Sequence, residues 1–347
     1  MSIINSIKAI QIIDSRGTPT VSCKVTLDNG IYATSMVPSG ASTGSREALE
    51  LRDGASTYKG KGVTKAVANI HEIIAPALVG MDVTNQQEID ETMLALDGTS
   101  SKSKLGANAI LGVSLAVLDA GSKTLELPLY EHINQVFANI NGEKPRMQMP
   151  TPMLNIINGG EHADNNIDIQ EFMIMPVGAN NFSQAMQWAT EIYSDLKNIL
   201  NAKGLSTSVG DEGGFAPNLQ SNQEAIELII QAIRNNNLTE GKDVGIALDC
   251  AASEFYNNGI YNLQGESIKL NSSEFTNYLS ELTRQYPIFS IEDGMDESDF
   301  EGWKNLNKAL GGSCQLVGDD LFVTNVAELQ RGIDDSLANS ILIKFNQ

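Results

Sequence analysis

The amino-acid sequence predicts an α/β protein in which a small N-terminal α+β domain is followed by a (β/α) barrel. In the first part of the 347-residue chain, β-rich runs come first and helical patterns follow, and this order favours an α+β domain. In the second part, strand-like and helix-like runs alternate, which is typical of a parallel sheet. Because a chain of this length exceeds the usual size of one hydrophobic core, we expect an N-terminal domain at residues 1–138 and a barrel domain at residues 139–347.

The N-terminal domain is predicted to begin with β-rich runs and to continue with helices. The runs are SIKAIQIID, TVSCKVTLD and IYATSMV, and the turn signature DNG between the last two predicts a hairpin. A polar loop rich in glycine and serine follows at residues 38–54. Helical patterns then cover about residues 64–78, 84–96 and 106–123, and the last of them has apolar or small residues on nearly every face, so we expect it to be buried. The polar segment at residues 139–152 is the predicted linker.

The barrel domain is predicted from apolar runs that each end on a charged residue, as strands do where barrel chemistry takes place. These runs are VGIALD, PIFSIE, QLVGD and SILIK, which end at Asp249, Glu292, Asp319 and Lys344. Helical patterns lie between them, at about residues 273–285, 297–310 and 324–331. In the last run, Ile341, Leu342, Ile343 and Phe345 are expected to form a strand buried on both faces. An open doubly wound sheet is the alternative, but no GxGxxG sequence follows a first strand and no P-loop sequence occurs.

The carboxylates at the strand ends suggest a metal site. In a barrel the C-terminal ends of the strands share one mouth, so Asp249, Glu292 and Asp319 should converge there. Carboxylates brought close together repel one another unless a cation joins them, and a site made of oxygen ligands alone selects a hard ion such as Mg²⁺. Any one of these acids could instead be a solvated strand end or a helix cap, but three in successive units favour the metal site.

Lys344 ends the next apolar run and has two interpretations. Its amine could extend to solvent, as long basic side chains at the ends of apolar segments do. Beside a dication in a partly desolvated site, the pKa of Lys344 should instead fall from the ordinary value of roughly 10.4. A neutral lysine amine in such a place can act as a general base.

Two glycine-rich loops and the start of one apolar strand carry further candidate residues. The loop SVGDEGGFAPN contains Asp211 and Glu212, and its glycines allow the backbone to approach a ligand closely, although such acids alone are also typical of turns. The similar loop NGGEHADN contains His162. The run DIQEFMIMP places Gln170 and Glu171 at the start of a very apolar strand, where a charge needs a partner or an ion.

Composition excludes several classes of protein. The net charge of −20 argues against nucleic acid and anionic membranes as main partners, but it leaves an anionic substrate open if metal ions or local basic residues reverse the field in the site. The three cysteines are far apart and show no zinc-binding spacing, as expected of reduced buried thiols in a cytoplasmic protein. We expect no signal peptide and no membrane span.

Eight motifs, taken together and in order along the chain, resemble the enolase family. They are SGASTG, NGGEHADN, QEFMIMP, VGDEGGFAPN, ALDCAASEFY, SIEDGMDESD, VGDDLFVTN and LIKFNQ. The resemblance implies a small N-terminal α+β domain followed by an enolase-type (β/α)8 barrel that begins with an antiparallel pair of strands. It also implies the glycolytic activity of the family, the reversible dehydration of 2-phosphoglycerate to phosphoenolpyruvate, in a homodimer or larger assembly. A lysine base together with Mg²⁺ ions is the known combination in this superfamily.

The resemblance also implies a role for each candidate residue. Lys344 would take the proton α to the substrate carboxylate, and Glu212, supported by Glu171, would protonate the departing hydroxyl group. The residues implied to bind substrate are His162, Gln170, Glu171 and Lys344. The residues implied to bind the first Mg²⁺ are Asp249, Glu292 and Asp319. A second Mg²⁺, bound together with the substrate, would use Ser42 in the SGASTG loop, which closes over the substrate.

The sequence departs from the family pattern after Gln347, the last residue. Family members continue through two more barrel strands and supply an arginine–serine pair and a lysine that hold the substrate, so we expect this chain to be an incomplete enolase that ends after the sixth barrel strand. We also expect it to lack dehydratase activity when expressed alone. A catalytically inactive fragment or a non-catalytic binding or scaffold role of the same fold is therefore an alternative. Another reaction of the superfamily, such as a racemisation, is less compatible with Glu212 and the Ser42 loop.

Overall fold

The computed structural model describes residues 2–40, 43–54, 56–210 and 212–347. Its contacts divide the chain into two compact units, Met1–Gln148 with Lys344–Gln347, and Met149–Ile343. The division after Gln148 lies within the segment at 139–152 that the sequence predicts as a linker. The boundary predicted after residue 138 falls earlier, in the last turn of a helix that ends at Asn141.

The first unit contains an antiparallel sheet in the order β1-β2-β3. Its strands are β1 (Ile4–Ile13), β2 (Pro19–Leu27) and β3 (Tyr32–Met36). The predicted DNG turn joins β2 to β3, with Gly30 at a φ of +86°, a left-handed conformation that glycine adopts without steric cost. Along β2 the apolar side chains of Val21, Cys23 and Val25 are all fully buried, so this face of the sheet forms the core of the unit.

Helices cover the buried face of this sheet. They are α1 (Thr64–Asn69), α2 (Ala75–Leu78), α3 (Gln86–Asp97), α4 (Ala107–Thr124) and α5 (Leu129–Asn141), with a π-helical turn at Ile70–Ile74 and a 3₁₀ turn at Thr57–Gly60. The π-helical turn ends two residues before Pro76, whose nitrogen carries no hydrogen for a regular helical bond. As its pattern predicts, α4 is buried on several faces, and a Cβ added at Gly112 would lie only 3.2 Å from Val37 Cγ2. The glycine therefore permits the close approach of α4 to the sheet.

The second unit is built on a sheet in the order β12-β11-β10-β6-β5-β4, with a separate antiparallel meander in the order β7-β8-β9. The strands are β4 (Leu154–Asn158), β5 (Glu171–Met175), β6 (Gly245–Asp249), β7 (Tyr256–Asn257), β8 (Ile260–Leu263), β9 (Ile268–Asn271), β10 (Ile288–Glu292), β11 (Gln315–Gly318) and β12 (Ser340–Ile341). The pairs β6/β10, β10/β11 and β11/β12 are parallel, whereas β5 is antiparallel to both of its neighbours. The expected antiparallel start of the sheet is therefore confirmed.

Helices lie between these strands, one after each strand from β9 to β11, and they carry well-defined N-terminal caps. They are α6 (Phe182–Ala202), α7 (Asn222–Asn235), α8 (Ser272–Gln285), α9 (Phe300–Leu310) and α10 (Val326–Asp335), with 3₁₀ turns at Gly160–His162 and Ala252–Phe255. The three helices predicted in this region are thus present. The start of α9 is later than the predicted residue 297 because the Asp299 side chain accepts the N–H of Gly302 and so fixes the first turn there.

The last strand is shorter than the sequence predicts. Strand β12 ends at Ile341 rather than at Lys344, and the side chains of Ile343 and Phe345 are 62% and 74% exposed. The expectation of a strand buried on both faces up to Phe345 is therefore wrong. The reason is that β11 ends at Gly318, whose carbonyl accepts the Leu342 N–H, and the described backbone offers no ladder partner beyond that bond.

Candidate active site

The acidic residues predicted at the strand ends lie at the C-terminal edge of the parallel strands. In the pairing of β6 with β10, Asp249 stands opposite Glu292, and Glu292 in turn stands opposite Val317 of β11, two residues before Asp319. Their residue exposures are only 7%, 9% and 6% in chain order. The parallel register, which only the folded sheet sets, thus brings these carboxylates to one edge.

A further acid, Asp293, belongs to this edge and was missed by the sequence reasoning. One carboxylate oxygen from each of Glu292, Asp293 and Asp319 lies within 4.8 Å of the others, a spacing that could hold a metal ion. This group differs from the predicted set because it contains Asp293 in place of Asp249. The pair of consecutive acids in SIED is the sequence signal that could have pointed to it.

Asp293 also fixes the backbone after the neighbouring strand. Its Oδ1 accepts the N–H of Asp319 at 3.0 Å, and its Oδ2 accepts the N–H of Asp320 at 2.8 Å. Its own N–H donates to the Val317 carbonyl at 2.9 Å, and its φ is +40°. Because both carboxylate oxygens accept backbone hydrogens, Asp293 orients the turn that carries Asp319.

Asp249 faces the antiparallel side of the site. Its Oδ1 accepts the Ala251 N–H at 2.9 Å, and its Oδ2 accepts a hydrogen from the Gln170 side-chain nitrogen at 3.2 Å. The side-chain oxygen of Gln170 is buried and has no hydrogen-bond partner among the described residues. Such an orphaned acceptor beside buried carboxylates is what a ligand or an ion would satisfy.

Burial and mutual repulsion make this edge electrostatically costly without a cation. Desolvation, and then the charges of Glu171 and Asp319, raise the pKa of Asp249 to about 7. Desolvation and the charge of Asp249 likewise raise the pKa of Glu292 well above its usual range, and desolvation and Asp320 do the same for Asp293. The donor atoms are all oxygens, so the residues present fit a hard divalent ion.

His162 and Glu171 lie next to this acidic edge. Glu171 stands opposite Asp249 in the β5/β6 pairing, and His162 Nδ1 is 3.2 Å from Glu171 Oε1. Burial by itself would lower the pKa of His162. The hydrogen bond and negative charge of Glu171, followed by the charges of Glu212 and Asp249, have a larger effect, so the pKa of His162 is raised. The structure therefore gathers residues predicted from separate motifs into one region of the second unit.

Glu212 is exposed on a tight hairpin whose two arms are hydrogen-bonded. The Gly210 N–H donates to the Gly214 carbonyl at 2.8 Å, and the Ala216 N–H donates to the Ser208 carbonyl at 2.9 Å. A Cβ added at Gly210 would lie 2.6 Å from the His162 carbonyl oxygen, so glycine lets this hairpin pack directly against the His162 loop.

Three remaining candidates are not placed at this edge by the structure. Ser42 and Asp211 lie outside the described residues. Lys344 follows β12 and is half-buried, and its contacts group it with the first unit, in which the nearby Gln347 carbonyl accepts the Ala48 N–H at 3.0 Å. The catalytic role of Lys344 stays a prediction.

The second unit has the features of an α/β barrel enzyme domain, with buried acids at the C-terminal ends of its parallel strands. The chain matches two sequence families, described as the enolase N-terminal domain over residues 4–133 and the enolase C-terminal TIM barrel domain over residues 146–347. The chain therefore belongs to the enolase family. Among the described residues, no helix combines the length and the apolar character that crossing a bilayer requires.

Proposed function

We propose that this protein is a Mg²⁺-dependent lyase that interconverts 2-phosphoglycerate with phosphoenolpyruvate and water. The observation that carries the proposal is the meeting of Asp249, Glu292 and Asp319 at one strand edge, next to His162 and Glu171. Membership of the enolase family supports the same reaction class. In keeping with the family, we further propose a glycolytic role in the cytoplasm and a homodimeric or larger assembly.

The acidic edge would hold the metal. Asp249, Glu292 and Asp319 are the proposed ligands of the first Mg²⁺, with Asp293 orienting the backbone of Asp319. When bound, Mg²⁺ would supply positive charge to the substrate carboxylate and so lower the free energy required to remove the adjacent proton. Ser42 is the proposed protein ligand of a second ion that binds with the substrate.

The protein groups would move two protons in opposite directions. Lys344 takes the proton from the carbon α to the carboxylate, and Glu212 donates a proton to the hydroxyl group on the next carbon. The C–H and C–O bonds break, a carbon–carbon double bond forms, and the hydroxyl leaves as water. Gln170 and His162 would contact the substrate. Glu171 would support Glu212, because both carboxylates interact with the same neighbour and raise the pKa of His162.

The test is the formation of phosphoenolpyruvate by the protein at its full encoded length, followed by its ultraviolet absorbance. We expect turnover with Mg²⁺, its loss with EDTA and its return when Mg²⁺ is restored. Glu292→Gln should abolish turnover, whereas Glu301→Gln, a control whose side chain is 81% exposed on α9, should not. Turnover that survives EDTA, or α-proton exchange on other carboxylic acids without any phosphoenolpyruvate formation, would contradict this function.

A further inference from the structure

Helix α6 contacts the tip of the Glu212 hairpin through one tyrosine. The hydroxyl group of Tyr193 donates a hydrogen bond to the Gly213 carbonyl at 2.9 Å. The ring of Tyr193 also stacks on Phe215, with the ring centroids 4.3 Å apart and the planes 7° from parallel. The tyrosine thus contacts the hairpin twice, at the residue after Glu212 and at a residue in the returning arm.

The two contacts act on parts of the hairpin that differ in how firmly they are held. Phe215 is almost fully buried and is tied to β4, because its N–H donates to the Ile156 carbonyl at 2.9 Å and its carbonyl accepts the Asn158 N–H at 2.8 Å. Gly213 is exposed at the tip and has a φ of +90°, a region in which glycine has wide freedom. Stacking on Phe215 therefore holds the ring of Tyr193 in place relative to the sheet. The hydrogen bond from the Tyr193 hydroxyl then restrains Gly213 at the tip.

We propose that Tyr193 is a positioning residue that sets the location of the Glu212 carboxyl group. The inference rests on the proposed function, in which Glu212 delivers a proton to the departing hydroxyl. Gly213 directly follows Glu212 in the chain. A hydrogen bond to the Gly213 carbonyl therefore restrains the backbone that carries Glu212. A proton donor must lie within hydrogen-bond reach of its acceptor, so small displacements of the tip lower the rate.

The inference predicts an effect on one half of the reaction only. Removal of the α proton belongs to Lys344, which does not lie on this hairpin, and protonation of the hydroxyl belongs to Glu212. Loss of the tyrosine hydroxyl should therefore slow dehydration while exchange of the α proton with solvent continues. A general loss of folding would reduce both rates together.

The test compares Tyr193→Phe with the wild type at full encoded length, by rates of phosphoenolpyruvate formation and of α-proton exchange. The substitution keeps the stacked ring and removes only the donor. We expect dehydration to fall about threefold to tenfold, the range that a single net hydrogen bond gives, with exchange within about twofold of the wild type. Tyr286→Phe is the matched control, because its hydroxyl donates a comparable 2.8 Å bond to Glu227, and both rates should stay unchanged.

A second measurement follows the hairpin itself in the 347-residue chain. Amide hydrogen exchange of residues 208–216 should be faster in Tyr193→Phe than in the wild type or in Tyr286→Phe, since the tip is less restrained. Unchanged amide exchange, or an equal loss of dehydration and α-proton exchange, would overturn the inference about Tyr193. A wild-type protein that neither exchanges the proton nor dehydrates would instead refute the proposed function.

Discussion

The charge of the buried acidic edge gives a prediction about stability that needs no substrate. Raising the pKa of Asp249 from 3.8 to about 7 means that ionising this residue in the folded, metal-free protein costs up to about 4 kcal/mol. A carboxyl group with a raised folded-state pKa stabilises the fold at low pH, and this contribution is lost as the pH rises from about 4 through 7. The residue shares its repulsion with Glu171 and Asp319, so the figure is the upper end of the expected range.

Asp249→Asn isolates this contribution because the amide resembles the protonated acid. The Asn oxygen can still accept one of the two hydrogen bonds, and Gln170 can turn its unpartnered side-chain oxygen toward the new amide group. In EDTA, we expect the variant to match the wild type near pH 4 and to have a higher free energy of unfolding at pH 8, by about 2–4 kcal/mol. The other titrating groups are the same in both proteins, so their contributions cancel in the difference between the two free energies of unfolding.

Urea unfolding between pH 4 and pH 8, with EDTA or with Mg²⁺, measures this difference. Added Mg²⁺ should stabilise the wild type increasingly as the pH rises, because protons compete with the ion for the carboxylates, and should stabilise Asp249→Asn much less. If Asp249→Asn is less stable than the wild type at pH 8 in EDTA, repulsion does not dominate at this edge and the reasoning is refuted.

Three further predictions concern the proposed catalysis and the loops that support it. At full encoded length, Lys344→Ala should abolish α-proton exchange, whereas Glu212→Gln should keep that exchange and lose dehydration; loss of exchange in both would mean that the assignments are wrong or that Glu212 also positions the substrate. Gly210→Ala should lower dehydration and speed proteolysis of the hairpin, since the new Cβ would collide with the Asn158 side chain, and wild-type behaviour would show that the hairpin has room. Asp293→Ala should leave two backbone N–H groups without their acceptor and cost about 2–4 kcal/mol in urea unfolding with Mg²⁺, whereas unchanged stability would exclude a positioning role.

Much of the candidate site was predictable from the sequence because its residues follow short apolar runs. The strands that end at Asp249 and Glu292, and the strand just before Asp319, appear where the runs of β-forming residues predict them. The preference for a strand is local, and the parallel order that places such strand ends together follows from the alternation of strands and helices. The sequence therefore indicated that Asp249, Glu292 and Asp319 share one edge of the sheet, but it did not indicate that Asp293 joins Glu292 and Asp319 there.

The contacts between distant parts of the chain were decided only by the tertiary structure. Whether the Asp293 carboxylate binds a metal ion or orients the backbone of Asp319 depends on the position of the turn after β11. The hydrogen bond from Tyr193 to Gly213 likewise depends on how α6 packs beside a loop twenty residues away in sequence. The end of β12 at Ile341 is of the same kind, because a strand extends only as far as a neighbouring backbone supplies hydrogen bonds, whatever the β-propensity of its residues. The hydrophobic pattern can be read from each residue in turn, whereas strand pairing and register are set by hydrogen bonds between distant segments that form only in the folded sheet.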